Sequence, residues 1–222
     1  MIHFTDLRAG YQGQSITPSL TGILAAGSLT AITGENGSGK STLLKTLAGL
    51  IPPSMGHFCV HSSEIALLPQ QQSVDRTFPL TVRDIVMMGC WQQRTWYGFL
   101  PLAARRRVEQ ALEITDITSI ADYPLNHLSG GQLQRALFSR MWLQQSDVWL
   151  LDEPFTGVDE VTIDRLMSLT QQVVAEGKTV VMVLHDERLV QRYFDTQLHL
   201  TAQTAYWTTP RYTSPRPLAQ VI

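Results

Sequence analysis

The chain has 222 residues, enough for one large α/β domain with a sizeable buried core. Hydrophobic residues make up 44% and charged residues 16%, a globular composition, and the net charge of −2 argues against a nucleic-acid binder driven by bulk electrostatics. Two cysteines, Cys59 and Cys90, do not make a disulfide framework. No apolar run approaches the roughly 18 residues of a spanning helix and no signal peptide opens the chain, so a cytosolic protein is expected that reaches a membrane only by docking on another chain.

Residues 1–33 read as short strands and turns, punctuated by Gly10, Gly13, Pro18, Gly22 and Gly27. The apolar, β-branched stretch 29–33 predicts a strand, and a helix follows from Thr42 to about Leu50, stopped at Pro52-Pro53. Residues 64–68 predict another strand, ending at Pro69. The segment before it is too short to promise a strand hairpin. From Thr81 the pattern turns helical, with Val82, Ile85, Val86 and Gly89 on one face. A second helix is expected over 103–114 and a third from Ser129. The wholly apolar runs 148–151 and 180–184 are what buried parallel strands look like, with a helix of about 159–176 between them and Gly177 as its C-cap. Strand, helix, strand is a βαβ unit and implies a parallel sheet. No functional reading attaches to the tail after Leu200.

Three motifs carry chemistry. Gly34-Glu35-Asn36-Gly37-Ser38-Gly39-Lys40-Ser41 is a complete P-loop, placed between a strand and a helix. Such a turn aims several backbone N–H groups and a helix dipole at one spot, a cradle for a polyphosphate; Lys40 can reach the β- and γ-phosphates and the Ser41 hydroxyl can ligate Mg²⁺. Asp152-Glu153 ends the run 148–151, so both carboxylates land at the carboxyl edge of the sheet. There Asp152 suits the Mg²⁺ shell and Glu153 can orient or deprotonate an attacking water. Leu128-Ser129-Gly130-Gly131-Gln132 opens a helix and offers a second anion-binding surface, or simply a helix start capped by Ser129. One nucleotide does not need two such sites in one chain; two chains sharing two nucleotides would.

With these residues the chain resembles the ATP-binding subunit of ABC transporters from about Tyr11 to His185, and Leu128–Gln132 matches that family's signature letter for letter. The resemblance implies an α/β P-loop NTPase (RecA-like) fold with a mainly parallel sheet, an N-terminal antiparallel β part and an inserted α-helical subdomain. It implies one domain over 1–222, with 1–76 and 141–222 as nucleotide-binding core and 77–140 as the helical signature subdomain. It makes the protein an ATPase that uses ATP and Mg²⁺. Gly34 to Thr42 would grip ATP, and Tyr11 looks like the aromatic that stacks on adenine, the lesser alternative being a core or turn tyrosine. Gln70 resembles the glutamine that contacts Mg²⁺ and the lytic water, with Gln71 and Gln72 as neighbours in register. His185 resembles the histidine at the γ-phosphate, and Asp159 the aspartate that communicates across a homodimer. In that dimer Ser129, Gly130, Gly131 and Gln132 would address the other subunit's ATP. An integral membrane permease and an extracytoplasmic solute-binding protein would complete the system at the cytoplasmic face of the membrane, with no nucleic acid involved.

Residues 74–89 and 154–159 resemble the manganese/zinc/iron branch of bacterial metal importers. The alternatives are an importer of another substrate such as an iron chelate, or a soluble ABC ATPase without a transport role; the latter usually shows two fused cassettes, coiled-coil arms or basic extensions, which this chain lacks. A third, a nucleotide-dependent regulator with little turnover, fits poorly with Glu153 and His185 both present. The aromatic stretch Trp91, Trp96, Tyr97, Phe99 would line a groove for a permease helix, or pack the helical part on itself. His57, Cys59 and His61 would share one face of a strand, but one short segment without a fourth ligand is weak for zinc.

Overall fold

The N-terminal strand β1 (Ile2–Arg8) buries Ile2, Phe4 and Leu7 while Thr5 and Asp6 stay exposed, the alternation of a sheet covered on one face. The computed structural model describes residues 1–61, 64–70, 74–93 and 101–210. A short antiparallel hairpin, β2 (Gly10–Tyr11) and β3 (Gln14–Ser15), follows β1. β4 (Leu20–Leu24) and, further on, β6 (Met55–Val60) flank β1 on either side, both antiparallel, giving a three-stranded sheet in the order β4-β1-β6. The segment before residue 64 thus supplies a single strand to a distant partner, not a local hairpin.

The second sheet has six strands in the order β11-β10-β5-β9-β8-β7: β5 (Leu29–Gly34), β7 (Ile65–Leu68), β8 (Val148–Asp152), β9 (Thr179–Val183), β10 (Thr196–Leu200) and β11 (Ala205–Thr208). All neighbours run parallel except the edge strand β11. Both β8 and β9 are buried at every position, as expected of parallel strands covered on both faces. One face packs under α1 (Lys40–Leu47) and the antiparallel sheet, through Leu43, Leu44, Val148, Leu150, Val181 and Phe4. The other packs under the helices α2 (Val82–Met87), α3 (Leu102–Ile114), α4 (Gly130–Leu143), α5 (Glu160–Ala175) and α6 (Glu187–Tyr193), through Trp149, Phe138, Leu166 and Met182 among others. Each fully buried leucine contributes about 1.5–3 kcal/mol.

The helix starts follow local chemistry. Thr81 caps α2 and Asp84 returns the bond, and Ser129 and Gln132 do the same for α4, two reciprocal capping boxes. Helix α1 stops at Leu47, short of the expected Leu50, because Gly49 turns left-handed with φ 72°. Helix α2 passes at Met88 into a 3-10 segment, Met88–Gln93. Gln71, Gln72, Trp96, Tyr97, Phe99 and the tail beyond residue 210 lie outside the described residues. No described helix is long and apolar enough to cross a membrane.

Candidate functional site

Register brings the site together. In the parallel ladder Ile32 lies opposite Val183, and Val183 opposite Asp152, so the carboxyl ends of β5, β9 and β8 finish side by side. The chain leaving β5 is the P-loop, the chain leaving β8 is Glu153, and the chain leaving β9 runs through Leu184 to His185. Ligands of open α/β sheets bind at this edge.

The loop's conformation needs its glycines at two points. Gly34 has φ 138°, and a Cβ there would sit 1.8 Å from the Leu200 carbonyl oxygen of β10. Gly39 has φ 91°, is the N-cap of α1, and would press on Thr17 Cγ2 at 2.6 Å. No side chain caps α1, so its first-turn N–H groups face the loop. Lys40 folds over that turn and donates to the carbonyls of Gly34 at 2.9 Å and Glu35 at 2.7 Å. The Ser38 hydroxyl is buried and has no hydrogen-bond partner. A buried orphan hydroxyl beside unpaired helix-start amides fits an oxygen-rich anion such as a triphosphate.

Beside the loop, Ser41 Oγ donates to Asp152 Oδ1 at 2.9 Å. Burial pushes the Asp152 carboxyl above the usual carboxylate range and the negative Glu153 adds to this, against the pull of Ser41, Lys45 and Lys40. Burial likewise lowers the Lys40 ammonium from its ordinary value, although Glu153 and Asp152 oppose the shift. A hydroxyl and a carboxylate in contact, in a place that penalises the bare negative charge, is a hard-oxygen donor pair suited to Mg²⁺.

A carboxyl raised in the folded state binds more protons than in the unfolded chain, so its ionisation opposes folding once pH passes its unfolded value. Asp152→Asn, which keeps an acceptor for Ser41, is expected to raise the melting temperature of the nucleotide-free protein at neutral pH by about 2–4 °C, the equivalent of ~1 kcal/mol in a chain of this size. The gain should vanish towards pH 3, and Mg²⁺-dependent turnover should be lost in the same variant. A thermal melt series against pH checks the first part and an ATPase assay the second.

Glu153 adopts a left-handed backbone, φ 49°, which a non-glycine residue holds only at some cost. The turn aims its carboxylate across to β9. His185 Nε2 lies 2.8 Å from Glu153 Oε1, and the Thr156 hydroxyl donates to Oε2 at 3.3 Å. A cleft of about 270 Å³ opens beside the pair, lined by Phe155, Val158, Leu184 and Leu189 among others. Glu153 and His185, read separately from sequence, thus form one unit, and Thr156 is a third member that the sequence did not single out.

Tyr11 stands half exposed on the β2–β3 hairpin, free of the core and available as a stacking surface. Gln70 follows β7 and is partly buried. Asp159 N-caps α5, accepting from Thr162 N at 2.9 Å and from Thr162 Oγ1 at 2.8 Å. These bonds hold its carboxyl below the usual range. A Cβ on Gly131 would lie 3.2 Å from Asp159 Oδ2, so the start of α4 and the start of α5 touch within one chain. His57 and Cys59 lie exposed on β6. Cys59 Sγ is 3.8 Å from His61 Nε2, and among the described residues no group of three or more His, Cys, Asp or Glu side chains could hold a metal ion.

A parallel sheet covered on both faces, with this loop and these carboxylates at one edge, defines a P-loop nucleoside triphosphatase. Residues 19–156 match the family model for ABC transporters. A metal transport system ATP-binding protein of Chlamydia pneumoniae is 39% identical over 197 residues, 86% of this chain and 76% of that protein. The manganese transport system ATP-binding protein MntB of Listeria innocua is 36% identical over 204 residues, covering 87% of this chain and 84% of its own. Among solved structures, a metal-chelate type ABC transporter in an inward-facing conformation superposes with a TM-score of 0.83 at 29% identity, over 94% of this chain and 83% of that one. The chain belongs to the ABC transporter family and is its ATP-binding cassette, an ATPase coupled to transport.

Proposed function

We propose that this chain hydrolyses ATP to drive import of a transition metal ion, of the manganese, zinc or iron class, through a separate membrane permease. The observation that carries the catalytic part is the convergence, at one sheet edge, of the Ser38–Lys40 cradle, the Ser41–Asp152 pair and the Glu153–His185 pair. The relatives named for metal and manganese transport support the cargo. The structural neighbour of metal-chelate type keeps a chelated metal as a second reading of the same site.

In this reading Tyr11 stacks on the base, and Gly34 to Thr42 surround the phosphates, with Glu35, Asn36 and Gly37 supplying loop backbone. Lys40 neutralises the β- and γ-oxygens. Ser41, Asp152 and Gln70 would hold Mg²⁺, which when bound neutralises charge developing on the transferred phosphoryl group. Glu153 takes or orients the proton of the attacking water, and His185 fixes the Glu153 carboxylate and faces the γ-phosphate. The chain acts as a homodimer, each nucleotide gripped by one P-loop and covered by Ser129, Gly130, Gly131 and Gln132 of the other copy. Asp159, seated against its own Gly131, reports across that interface. The helical part, 77–140, transmits closure to the permease, while 1–76 and 141–222 hold the nucleotide. The assembly sits at the cytoplasmic face of the membrane, supplied by an extracytoplasmic solute-binding protein.

The permease contact falls on the cleft of about 300 Å³ lined by Glu64, Ile65, Met88, Gly89, Trp91 and Ser146, where Trp91 is 64% exposed. An exposed indole at the rim of a cleft of mixed lining, apolar at Ile65 and Met88 and polar at Glu64, Gln144 and Ser146, can anchor a partner helix. Trp91→Ala should weaken co-purification with the permease at least tenfold while leaving nucleotide binding by the isolated chain unchanged; equal recovery of the permease would move the contact elsewhere. Reconstituting the chain with its permease in vesicles and following Mn²⁺, Zn²⁺ and chelated iron separately tests the cargo. Uptake of none of them, alongside ATP-driven uptake of another solute, would overturn it.

A further inference from the structure

Asp116 occupies an unusual place. It stands one residue past Thr115, the C-cap of α3, with φ 56°, in the left-handed position where glycine is the common residue. Its neighbours close the cap: Asp116 N donates to Glu113 O at 3.0 Å and Ile117 N to Leu112 O at 3.0 Å. An aspartate held left-handed costs more than a glycine would. What it gains is on two other helices. Arg165 of α5 donates to Asp116 Oδ2 at 2.5 Å, and Arg135 of α4 donates to Asp116 O at 2.9 Å and to Oδ2 at 3.4 Å.

Arg135 lies four residues after Gly131, and Phe138 three further on, so all three share one face of α4. Gly131 rests against Asp159 and Thr162, and Phe138 stacks on Phe155 at 6.4 Å. Arg135 is the charged middle of that face, with Asp159 within electrostatic reach on one side and Asp116 on the other. The charges alternate along the path Asp159, Arg135, Asp116, Arg165. It ties the residues that open α4 to both ends of the contact with α5.

We propose that Asp116 is a positioning residue for the signature: through Arg135 and Arg165 it fixes the angle at which Ser129–Gly131 is presented relative to Asp159. This rests on the reading that those residues cover the partner copy's nucleotide. The Asp116–Arg165 pair is largely exposed, and such pairs add little to stability, so the effect is expected on assembly more than on folding.

The experiment compares Asp116→Gly and Asp116→Asn in a Glu153→Gln background. Asp116→Gly relieves the left-handed backbone, so it should keep or raise the melting temperature. Nucleotide affinity of the isolated monomer should stay within twofold. ATP-driven dimerisation, measured by sedimentation, should weaken about five- to tenfold in both variants, and Asp116→Glu, which keeps the negative charge for Arg135 and Arg165, should weaken it less. If Glu153→Gln alone never dimerises with ATP, the reading of the signature fails. If it dimerises, and Asp116→Gly and Asp116→Asn dimerise as tightly, the positioning role of Asp116 is wrong while that reading stands.

Discussion

Replacing Glu153 by Gln will cut steady-state ATP hydrolysis by about 10²–10⁴-fold, the usual contribution of a positioned base, while leaving ATP affinity near that of the natural chain. The geometry accounts for both halves. Glu153 Oε1 is bonded to His185 Nε2 and Oε2 to Thr156, so the carboxylate is aimed at the sheet edge without touching the Lys40 cradle. Gln is isosteric and can keep one acceptor on His185, but it cannot take a proton. Because ATP would persist, the variant should accumulate as a closed, ATP-bound dimer in gel filtration. Turnover at the natural rate would remove Glu153 from the reaction and leave His185 as the remaining base candidate.

Lys40→Ala has the second large effect, and it acts on binding. The ammonium holds the loop by the carbonyls of Gly34 and Glu35 in a site where burial penalises its charge, and in the proposed function that charge meets the phosphates. Removing one partner of such a desolvated charge contact costs about 2–5 kcal/mol, so ATP affinity should fall by at least ~30-fold. Lys40→Arg should recover little, since a planar fork does not reproduce the compact ammonium that donates to the carbonyls of Gly34 and Glu35. Titration with a fluorescent nucleotide measures both, and an unchanged dissociation constant for Lys40→Ala would move the phosphates away from this loop.

Much of this site is legible from local pattern because its parts obey short-range rules. A strict glycine spacing marks the P-loop, unbroken apolar runs mark β8 and β9, and a Ser–Gln pair three apart marks the start of α4. What stays hidden depends on partners far along the chain. β10 alternates Thr196, Gln197, Leu198, His199, Leu200 and gives only a weak signal. It is held by polar bonds that no periodicity shows: Gln197 Nε2 donates to Thr33 Oγ1 at 2.7 Å, and His199 Nδ1 meets the same hydroxyl at 3.0 Å. β11 is secured by Trp207, whose indole stacks on Phe4 and donates to the Thr21 carbonyl at 3.3 Å, against a Gly22 that leaves room for it. Thr156 and Arg135 escape notice because their significance is geometric: one hydroxyl reaches back over a turn, and one guanidinium meets a carboxylate 19 residues away.

If each nucleotide is gripped by one copy and covered by another, two inactive chains should complement each other when mixed. Lys40→Ala destroys the cradle and spares the signature, whereas Ser129→Tyr blocks the signature and spares the cradle. Random pairing of equal amounts puts half of the chains in mixed dimers, each with one intact site, so the mixture should recover up to about one quarter of natural ATPase activity. A mixture as inactive as its separate components, or a Ser129→Tyr chain that hydrolyses ATP unaided at natural rate, would mean that no nucleotide is shared between two copies.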